Sequence, residues 1–294
     1  MIPTVTMPPE AQLAPLVRRY DTAIRAKRQQ TLLGLGIGVL AFAIAWIGAE
    51  VDMPMFFANI GNFFGYFDRI LHLDTGAPVW TDPGYWYWGI NRWSRQLGET
   101  ILIAYVGTFT GCLIAFLTCF LSSENLMPSR VVRFTVKRLL ELARTVPELV
   151  YALIFVVAFG LGPLPGVLAI TLHTAGTCGK LFAEVVESID MSPVEGIGAT
   201  GGTWLERIRF AVLPQVLSNF ASYTLLRFEF NVRGATVIGF VGAGGIGMEL
   251  IVAIRKFYYA DVSAILLMII LCVMLLDLGS ERLRHRLLAM ERGR

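Results

Sequence analysis

The stretch MSPVEGIGATGGTWLERIRFAVLPQ, residues 191–215, decides the fold because it separates two apolar segments and is itself too polar to cross a bilayer. It opens with Ser192, with Pro193 at the first helical position and Glu195 three residues after the serine. This order is typical of a capped helix start. We therefore expect a short helix that lies across one mouth of a membrane-spanning protein.

Two glycines, Gly201 and Gly202, then interrupt the helical pattern, as glycines do where a chain must turn. Residues 204–212 resume the pattern, and Pro214 falls within the first turns of the following apolar segment. The sequence predicts a short helix, a bend and a return into the membrane.

The composition of the whole chain is that of a membrane protein. Of the 294 residues, 55% are hydrophobic without counting glycine and 16% are charged, and the mean hydropathy is +0.62. An ordinary soluble chain is about 45–50% apolar with glycine included and about 25% charged. With a net charge of only +3, this balance excludes a secreted disulfide scaffold, a disordered chain and a nucleic-acid-binding domain. The four cysteines lie in apolar runs and are expected as core residues.

Six segments approach the roughly 20 apolar residues that a spanning helix needs. They are residues 31–49, 100–121, 147–161, 166–189, 208–230 and 262–279. The third reaches full length only with its amphipathic lead-in, residues 130–144, which we expect at the lipid headgroups. The first carries a small-residue motif at residues 43–45, but a leader of about 30 residues ahead of it fits a signal peptide poorly.

Basic residues mark the cytoplasmic side of a membrane protein. Three basic clusters, in residues 18–28, 130–144 and 282–294, are separated by even numbers of crossings. Both termini are therefore expected in the cytoplasm and residues 50–97 outside. That outer segment carries an aromatic cluster of Trp80, Tyr85, Trp86, Tyr87, Trp88 and Trp93. The cluster favours an interfacial belt, and a cage for a quaternary amine or a carbohydrate is the alternative.

Several stretches of the chain resemble a known family. Glu195, Gly201, Leu213 and Pro214 have the spacing of E-A-A-x3-G-x9-I-x-L-P, the signature of the integral-membrane subunits of ABC importers. The sequence departs from that signature at Gly196, Ile197 and Ala211. Three further stretches are similar to the permease subunit of phosphonate ABC importers: GLGPLPGVLA at 160–169, GKLFAEVVESI at 179–189 and RFEFNVRGATVIGFVGAGGIG at 227–247. The resemblance covers residues 98–294.

This resemblance implies an all-α membrane protein with the type I ABC importer permease fold, about six transmembrane helices and a cytoplasmic coupling helix. It divides the chain into an N-terminal segment with the first helix and the outer loop (1–97), a permease core (98–280) and a basic cytoplasmic tail (281–294). The residues expected to couple the chain to an ATPase are Glu195, Gly196, Gly201, Leu213 and Pro214.

The resemblance also implies partners. A second copy of the chain, two ATP-binding ABC subunits that hold ATP and magnesium, and a periplasmic or extracellular phosphonate-binding protein would complete the importer. The location would be the bacterial inner membrane, and no cofactor or nucleic acid is expected on this chain.

The glycines near the end of the chain form a G-x-G-x-x-G pattern at Gly242, Gly244 and Gly247, with Gly245 between them. A dinucleotide site would need a βαβ unit around the pattern and an acidic residue after it, which the sequence lacks. The glycines instead predict closely packed, bent backbone in an outer connection between the last two spans. We expect this connection to form part of an external gate.

Ionisable side chains within spans are functional candidates, because burying a charge in a bilayer is costly. His173 and Lys180 share one helix face, and Lys180 is placed to pair with Glu184. Both are candidates for the substrate path.

Farther along, Glu229 is placed to pair with Arg233, whereas Arg227 has no partner on its own helix. A guanidinium matches the oxygens of a phosphonate, so Arg227 is the expected anion contact, near the outer mouth.

The sequence contains neither a G-x4-G-K-[ST] phosphate loop nor an H-E-x-x-H zinc motif. It therefore predicts a transport subunit and not an enzyme, with ATP hydrolysis in a separate chain. A permease for another small solute is one alternative. An intramembrane enzyme acting on a lipid phosphate and a proton-coupled carrier are alternatives from other classes.

Overall fold

The computed structural model describes the backbone of residues 10–292 and the side chains of residue 15 and residues 18–284. The chain divides into two compact units, Met1–Gly65 and Tyr66–Arg294. The described residues form helices and no β-strand, which confirms the predicted all-α class. Of the predicted basic tail, the side chains of residues 285–294 lie outside the described part.

The helices follow one another with short connections. The first unit contains α1 (Glu10–Gly48) and the start of α2 (Met53–Ile70), which ends in the second unit. The remaining helices are α3 (Pro83–Trp86), α4 (Ile90–Ser122), α5 (Arg130–Thr145), α6 (Glu148–Phe159), α7 (Pro163–Glu187), α8 (Ser192–Ala199), α9 (Trp204–Arg207), α10 (Leu213–Ile238), α11 (Ile246–Arg255) and α12 (Tyr259–Arg292).

Within the described residues, three helical segments are individually long and apolar enough to cross a membrane: Arg18–Gly48, Ile90–Ser122 and Tyr259–Arg284. Two bent pairs reach that length only together. α5 and α6 meet at 86°, and the stretch Trp204–Val241 meets α11 at 47°. With α7, whose 25 residues extend about 38 Å, these helices accommodate the roughly six predicted crossings.

The bend between α5 and α6 has a local cause. Pro147 lacks a backbone N–H and disfavours helical angles at Val146, which is extended with ψ 125°. This break explains why residues 147–161 are too short for a span by themselves and need the preceding helix.

One end of the second unit, here called the aromatic end, comprises residues 79–93 and 258–263. The Trp86 indole donates a hydrogen bond to the Ala260 carbonyl at 3.2 Å, and the Trp88 indole donates to Asp261 at 2.9 Å. Trp93 is buried, so the aromatic cluster contributes to the core as well as to the surface.

The opposite end, here called the α8 end, comprises residues 123–129 and 188–203. The Asn125 amide donates to the Val186 carbonyl at 2.8 Å, and the Trp204 indole donates to the Leu126 carbonyl at 3.1 Å. α4 connects the two ends, and its 33 residues extend about 50 Å.

The largest hydrophobic cluster joins α4, α7, α8 and α10 near the α8 end. At its centre the Phe182 ring of α7 stacks on the Phe220 ring of α10, with the centroids 4.1 Å apart. Val194 attaches α8 to the same cluster. Full burial of a side chain of this size stabilises a fold by about 1.5–3 kcal/mol. α8 is therefore part of the packed core and not a passive loop.

α5 packs closely on α7. A Cβ at Gly176 would come within 2.6 Å of the Arg144 backbone nitrogen, so the small residue permits the contact. Lys137 of α5 lies 3.2 Å from both Glu124 and Glu187. This ion pairing holds the pKa of the Glu124 carboxyl below its ordinary value. The amphipathic lead-in thus has protein contacts in addition to the predicted lipid contacts.

Candidate functional site at the α8 end and along α10

α8 presents one apolar face to the core and one polar face to the surface. Val194 is buried, and Ile197 and Met191 pack against the same cluster. Glu195 and Gly196 lie on the other face and are exposed. The helix therefore has a fixed inner side and a free outer side, the arrangement that a docking helix needs.

α8 begins at Ser192 as predicted, but the predicted cap between Ser192 and Glu195 is wrong. The Asp190 carboxylate instead accepts hydrogen bonds from the Ser192 backbone nitrogen at 2.9 Å and from its hydroxyl at 2.8 Å. These bonds hold the pKa of the Asp190 carboxyl below its ordinary value. Glu195 is consequently not used in capping and remains available on the surface.

Gly201 ends α8 in the way the sequence predicts. Its φ is +85°, a left-handed conformation that glycine adopts without steric cost. The Gly202 nitrogen donates to the Ile197 carbonyl and the Gly201 nitrogen to the Gly198 carbonyl, each at 3.0 Å. This pair of bonds is the Schellman motif, which satisfies the last carbonyls of a helix.

A capping box begins the next helix. The Glu206 carboxylate accepts from the Thr203 backbone nitrogen at 2.6 Å, and the Thr203 hydroxyl oxygen accepts from the Glu206 nitrogen at 3.4 Å. The sequence reasoning missed these two residues, although T-x-x-E is the signature of such a box.

Leu213 and Pro214 lie at the start of α10. Immediately before them, residues Ile208–Val212 form a π-helical turn. Proline cannot donate a backbone hydrogen bond and its ring clashes with the carbonyl four residues earlier, so a widened turn accommodates it. Leu213 packs against the core cluster, whereas Pro214 is exposed.

Gln215 ties α10 to the connection that precedes α8. Its amide nitrogen donates to the Asp190 carbonyl at 3.1 Å and to the Ala211 carbonyl at 2.9 Å, and its amide oxygen accepts from the Asp190 nitrogen at 3.1 Å. No sequence pattern signals this role, because the contact joins residues 25 positions apart.

A buried polar cluster lies farther along α10. The Asn231 side chain is completely buried and donates to the hydroxyls of Thr108 at 2.8 Å and Thr174 at 2.9 Å. These bonds connect α10 to α4 and α7. The Asn231 side-chain oxygen is buried without a hydrogen-bond partner among the described residues.

Arg227 lies one turn of α10 before this cluster, on the side toward the α8 end. Its Nε is buried and has no partner among the described residues. Among the described residues Arg227 has no partner on its own helix, as the sequence indicated, and its role as an anion contact stays a prediction.

The predicted position of Arg227 near the outer mouth is wrong. α10 continues to Ile238, eight residues past the predicted end of the span, and Asn231, one turn after Arg227, donates to Thr108 of α4. Thr108 lies about 27 Å along α4 from Ile90 and about 21 Å from Ser122, and Arg227 lies a further turn toward the α8 end. Arg227 is therefore closer to the α8 end than to the aromatic end.

His173 and Lys180 lie on α7 as predicted, in different surroundings. The His173 Nδ1 lies 3.1 Å from the Val146 carbonyl, at the break between α5 and α6. The Lys180 ammonium lies 3.5 Å from Glu184, which confirms that predicted pair, and both side chains are about half exposed. The structure brings His173 near Arg227 but does not bring Lys180 to that group.

The predicted pair between Glu229 and Arg233 is wrong, because both side chains turn to α12. Arg233 lies 2.5 Å from Asp277, and the Glu229 carboxylate accepts a hydrogen bond from the Ser280 hydroxyl. The contacts join α10 to α12, and spacing along one helix could not predict them.

The glycine pattern forms the break between α10 and α11. Gly242, Gly244 and Gly245 have φ of +89°, +85° and +78°, and Gly247 lies in the first turn of α11. The Gly162 nitrogen donates to the Gly242 carbonyl at 3.0 Å. The backbone is closely packed and bent, as predicted.

The bend lies in the stretch between the predicted spans 208–230 and 262–279, as the sequence predicted, and the helical segments on its two sides meet at 47°. The Ile246 backbone nitrogen, at the start of α11, donates a hydrogen bond to the Thr100 hydroxyl of α4 at 2.8 Å. The bend therefore packs against α4 and the start of α7.

Comparison with known proteins gives one family. The protein-family model described as "Binding-protein-dependent transport system inner membrane component" matches residues 107–288. The phosphite transport system permease protein PtxC of Stutzerimonas stutzeri is 43% identical over 196 residues, which are 67% of this chain and 71% of PtxC. The putative phosphite transport system permease protein HtxC of the same organism is 36% identical over 267 residues, 91% of this chain and 90% of HtxC.

A solved structure of similar fold is that of the MetNI methionine ABC transporter in an inward-facing conformation. One of its chains aligns with a TM-score of 0.58 and 18% sequence identity, over 70% of this chain and 98% of that chain. At this identity the likeness concerns the fold alone, and it confirms the predicted permease architecture.

Proposed function

The chain belongs to the family of binding-protein-dependent transport system inner membrane components, and from this membership we propose that it forms the pore of an ABC importer for phosphonates or related phosphorus oxyanions, such as phosphite and phosphate esters. The observation that carries the substrate class is the 43% identity to a phosphite permease over two thirds of the chain. A permease for another small solute is the second candidate, since the fold is shared with a methionine transporter.

The proposed coupling element is α8. Its exposed face carries Glu195 and Gly196, and Gly201 fixes the turn that follows. A partner ATPase, in two copies that bind ATP and magnesium, would receive this face. Leu213 and Pro214 would transmit its movement to α10, because they follow directly on the π-helical turn.

The proposed assembly places two copies of this chain around one path. A twofold pair closes a path with one identical patch on each subunit. A periplasmic or extracellular binding protein would deliver the substrate at the aromatic end. The α8 end and both termini would face the cytoplasm in the bacterial inner membrane, in agreement with the basic residues of α5.

The proposed substrate path passes Arg227. A guanidinium that has no ion-pair partner among the described residues offers charge-assisted hydrogen bonds to an oxyanion. His173 would add a second donor through Nε2 when its imidazole is protonated, since Nδ1 donates to the Val146 carbonyl. Lys180 would act closer to the α8 end. The bend with Gly242, Gly244, Gly245 and Gly247 would form a gate, because such backbone needs protein or a cavity around it.

The test is uptake by liposomes that contain the purified complex of this chain, its ATPase and its binding protein. We expect accumulation of labelled phosphite or methylphosphonate only with enclosed ATP and magnesium. Accumulation driven by a proton gradient without ATP would contradict the proposal. Uptake of methionine but of neither phosphorus oxyanion would support the second candidate, and native mass spectrometry that finds one copy, or two different permeases, would contradict the homodimer.

A further inference from the structure

A cavity of about 300 Å³ opens at the aromatic end. Its lining comprises Asp74, Tyr85, Trp88, Tyr258, Ala260 and Asp261. It lies entirely in the second unit and is separate from the polar residues of α10. The volume is that of a small-molecule site.

The walls of this cavity are held in place by contacts between the loop and α12. The Trp88 indole donates to the Asp261 carboxylate at 2.9 Å, and the neighbouring Trp86 indole donates to Ser263 at 3.0 Å. Tyr85 belongs to α3, whose first turn is capped by Asp82. The Trp88 ring and the backbone at Tyr85 are therefore held in place before a ligand arrives.

The lining has the chemistry of a cation site. Trp88, Tyr258 and Tyr85 are 64%, 51% and 47% exposed, so their rings face solvent. The charges of Asp74 and Asp261 act on each other, and neither carboxylate has an ion-pair partner among the described residues. Aromatic faces and unpaired carboxylates together attract an organic ammonium group.

A second cavity, of about 220 Å³, shares Trp88, Tyr258 and Asp261 with the first. Of its two basic residues, one is ion-paired and the other is not, among the described residues. Arg92 is bound by Glu249, with Nε at 3.0 Å and a second nitrogen at 2.7 Å. Lys256 has no ion-pair partner in the described part of the chain, and its ammonium lies 5.9 Å from the Tyr258 ring. A free cation therefore stands beside the acidic aromatic cavity, across one shared wall.

We propose that the two cavities bind one zwitterion, with its alkylammonium group between the aromatic rings and carboxylates and its phosphorus oxyanion toward Lys256. The positive group of the ligand meets the two carboxylates and its negative group meets Lys256, so both ends of the ligand are matched in charge. A ligand with only one of the two groups leaves half of the site unpaired.

Two sources supply this chemistry: a soluble aminoalkylphosphonate and the ethanolamine headgroup of a phospholipid. The zwitterionic charge pattern is derived from the walls of the site, whereas the choice of a phosphorus oxyanion as its negative group rests on the proposed function. Binding to the isolated chain therefore tests the site without requiring transport.

The first arm is calorimetric titration of the purified full-length chain with 2-aminoethylphosphonate, and with ethylphosphonate, which lacks the ammonium. We expect ethylphosphonate to bind at least about tenfold more weakly, the size of a cation–π contact together with a carboxylate contact. The second arm is mass spectrometry of lipids retained from nanodiscs with equal phosphatidylethanolamine and phosphatidylglycerol. Preferential retention of phosphatidylethanolamine assigns the site to lipid.

The variants are Trp88→Leu, Asp74→Asn and Lys256→Gln. The matched controls are Trp80→Leu, whose ring is also 64% exposed but lies outside both cavities, and Asp68→Asn, a carboxylate 74% exposed. We expect the three site variants to lose binding and the controls to keep it, with all five eluting as folded protein in gel filtration. Equal binding of the two phosphonates together with equal retention of the two lipids would overturn the proposal, as would equal loss in Trp80→Leu and Trp88→Leu.

The outcome separates the two proposals. A complex that transports phosphite while the chain binds neither zwitterion overturns only the site. A chain that binds 2-aminoethylphosphonate in a complex that transports no phosphorus oxyanion contradicts only the proposed function.

Discussion

Gly201 and Gly196 are two glycines of the same segment with opposite requirements. Gly201 has φ +85°, whereas Gly196 lies within α8 and a Cβ there would meet nothing within 4 Å. Gly201→Ala should destabilise the end of α8 by about 1–2 kcal/mol, the cost of a left-handed angle for an L-residue. Gly196→Ala should stabilise α8 by about 0.5–1 kcal/mol, because alanine loses less chain entropy.

Hydrogen exchange of residues 192–202 measures both changes, and ATP-driven uptake tests their consequence. We expect faster exchange and reduced uptake in Gly201→Ala alone. Equal exchange and equal uptake in the two variants would show that the turn is not required. Gly201→Asn provides a graded check, since asparagine tolerates this conformation better than alanine.

Arg227 gives the second prediction at the scale of one residue. Its Nε is buried without a partner in the described structure, whereas Arg255 is exposed. Arg227→Gln should lower phosphite uptake about tenfold, the effect of losing a charge-assisted hydrogen bond. Arg255→Gln should have little effect. ATPase assembly and binding-protein docking are measured in parallel, and failure of Arg227→Gln to assemble would show a structural role instead.

At the scale of elements, Gln215 should hold α8 and α10 together. Its three hydrogen bonds join Asp190 to the first turns of α10. Asn219 is a matched control, because it lies one turn later on α10 and makes no side-chain hydrogen bond among those described. Gln215→Ala should increase hydrogen exchange in residues 190–196 and lower the uptake per ATP hydrolysed, and Asn219→Ala should change neither. Unchanged exchange in Gln215→Ala would contradict this role.

The start of α8 should respond to acid through Asp190. Its pKa is lower in the folded protein than the ordinary value of about 3.9 because Ser192 donates two hydrogen bonds to the carboxylate. A lowered folded pKa stabilises the helix start above the ordinary pKa, and this stabilisation is lost as the pH falls through the folded pKa. Protection of residues 192–195 should therefore decrease below about pH 4 in the wild type. Asp190→Asn should show no such step, and an identical step in the variant would assign it to another group.

The elements also show which features a sequence can predict. The Gly201 turn and the break at Pro147 depend on adjacent residues, and the sequence predicted the first and signalled the second. The partner of Arg233 is Asp277, 44 residues away, so spacing along one helix gave the wrong pair.

Errors of depth have a different origin. The depth predicted for Arg227 was wrong because α10 extends to Ile238, eight residues past the predicted end of the span. Hydropathy does not distinguish the end of a span from a break within one, because the apolar composition continues across both.

At the scale of the whole molecule, hydrogen bonds place the segments that connect the helices at two ends, the aromatic end and the α8 end. Residues 79–93 contact the start of α12, and residues 123–129 contact α7 and Trp204. If the α8 end is cytoplasmic, every residue of the aromatic end must face outward. The two ends therefore have to label in opposite ways.

Cysteine labelling with a membrane-impermeant maleimide tests this directly. A cysteine at Asp74 should react in intact cells, whereas one at Arg130 should react only after the membrane is opened. Both side chains are exposed, but Asp74 lines the cavity at the aromatic end and Arg130 directly follows the α8 end. Three of the four native cysteines, Cys112, Cys119 and Cys178, are buried, and the unmodified chain serves as the blank. Reaction at Arg130 and not at Asp74 would reverse the orientation. In that case α8 would face away from cytoplasmic ATP, and the coupling proposal would fail with the topology.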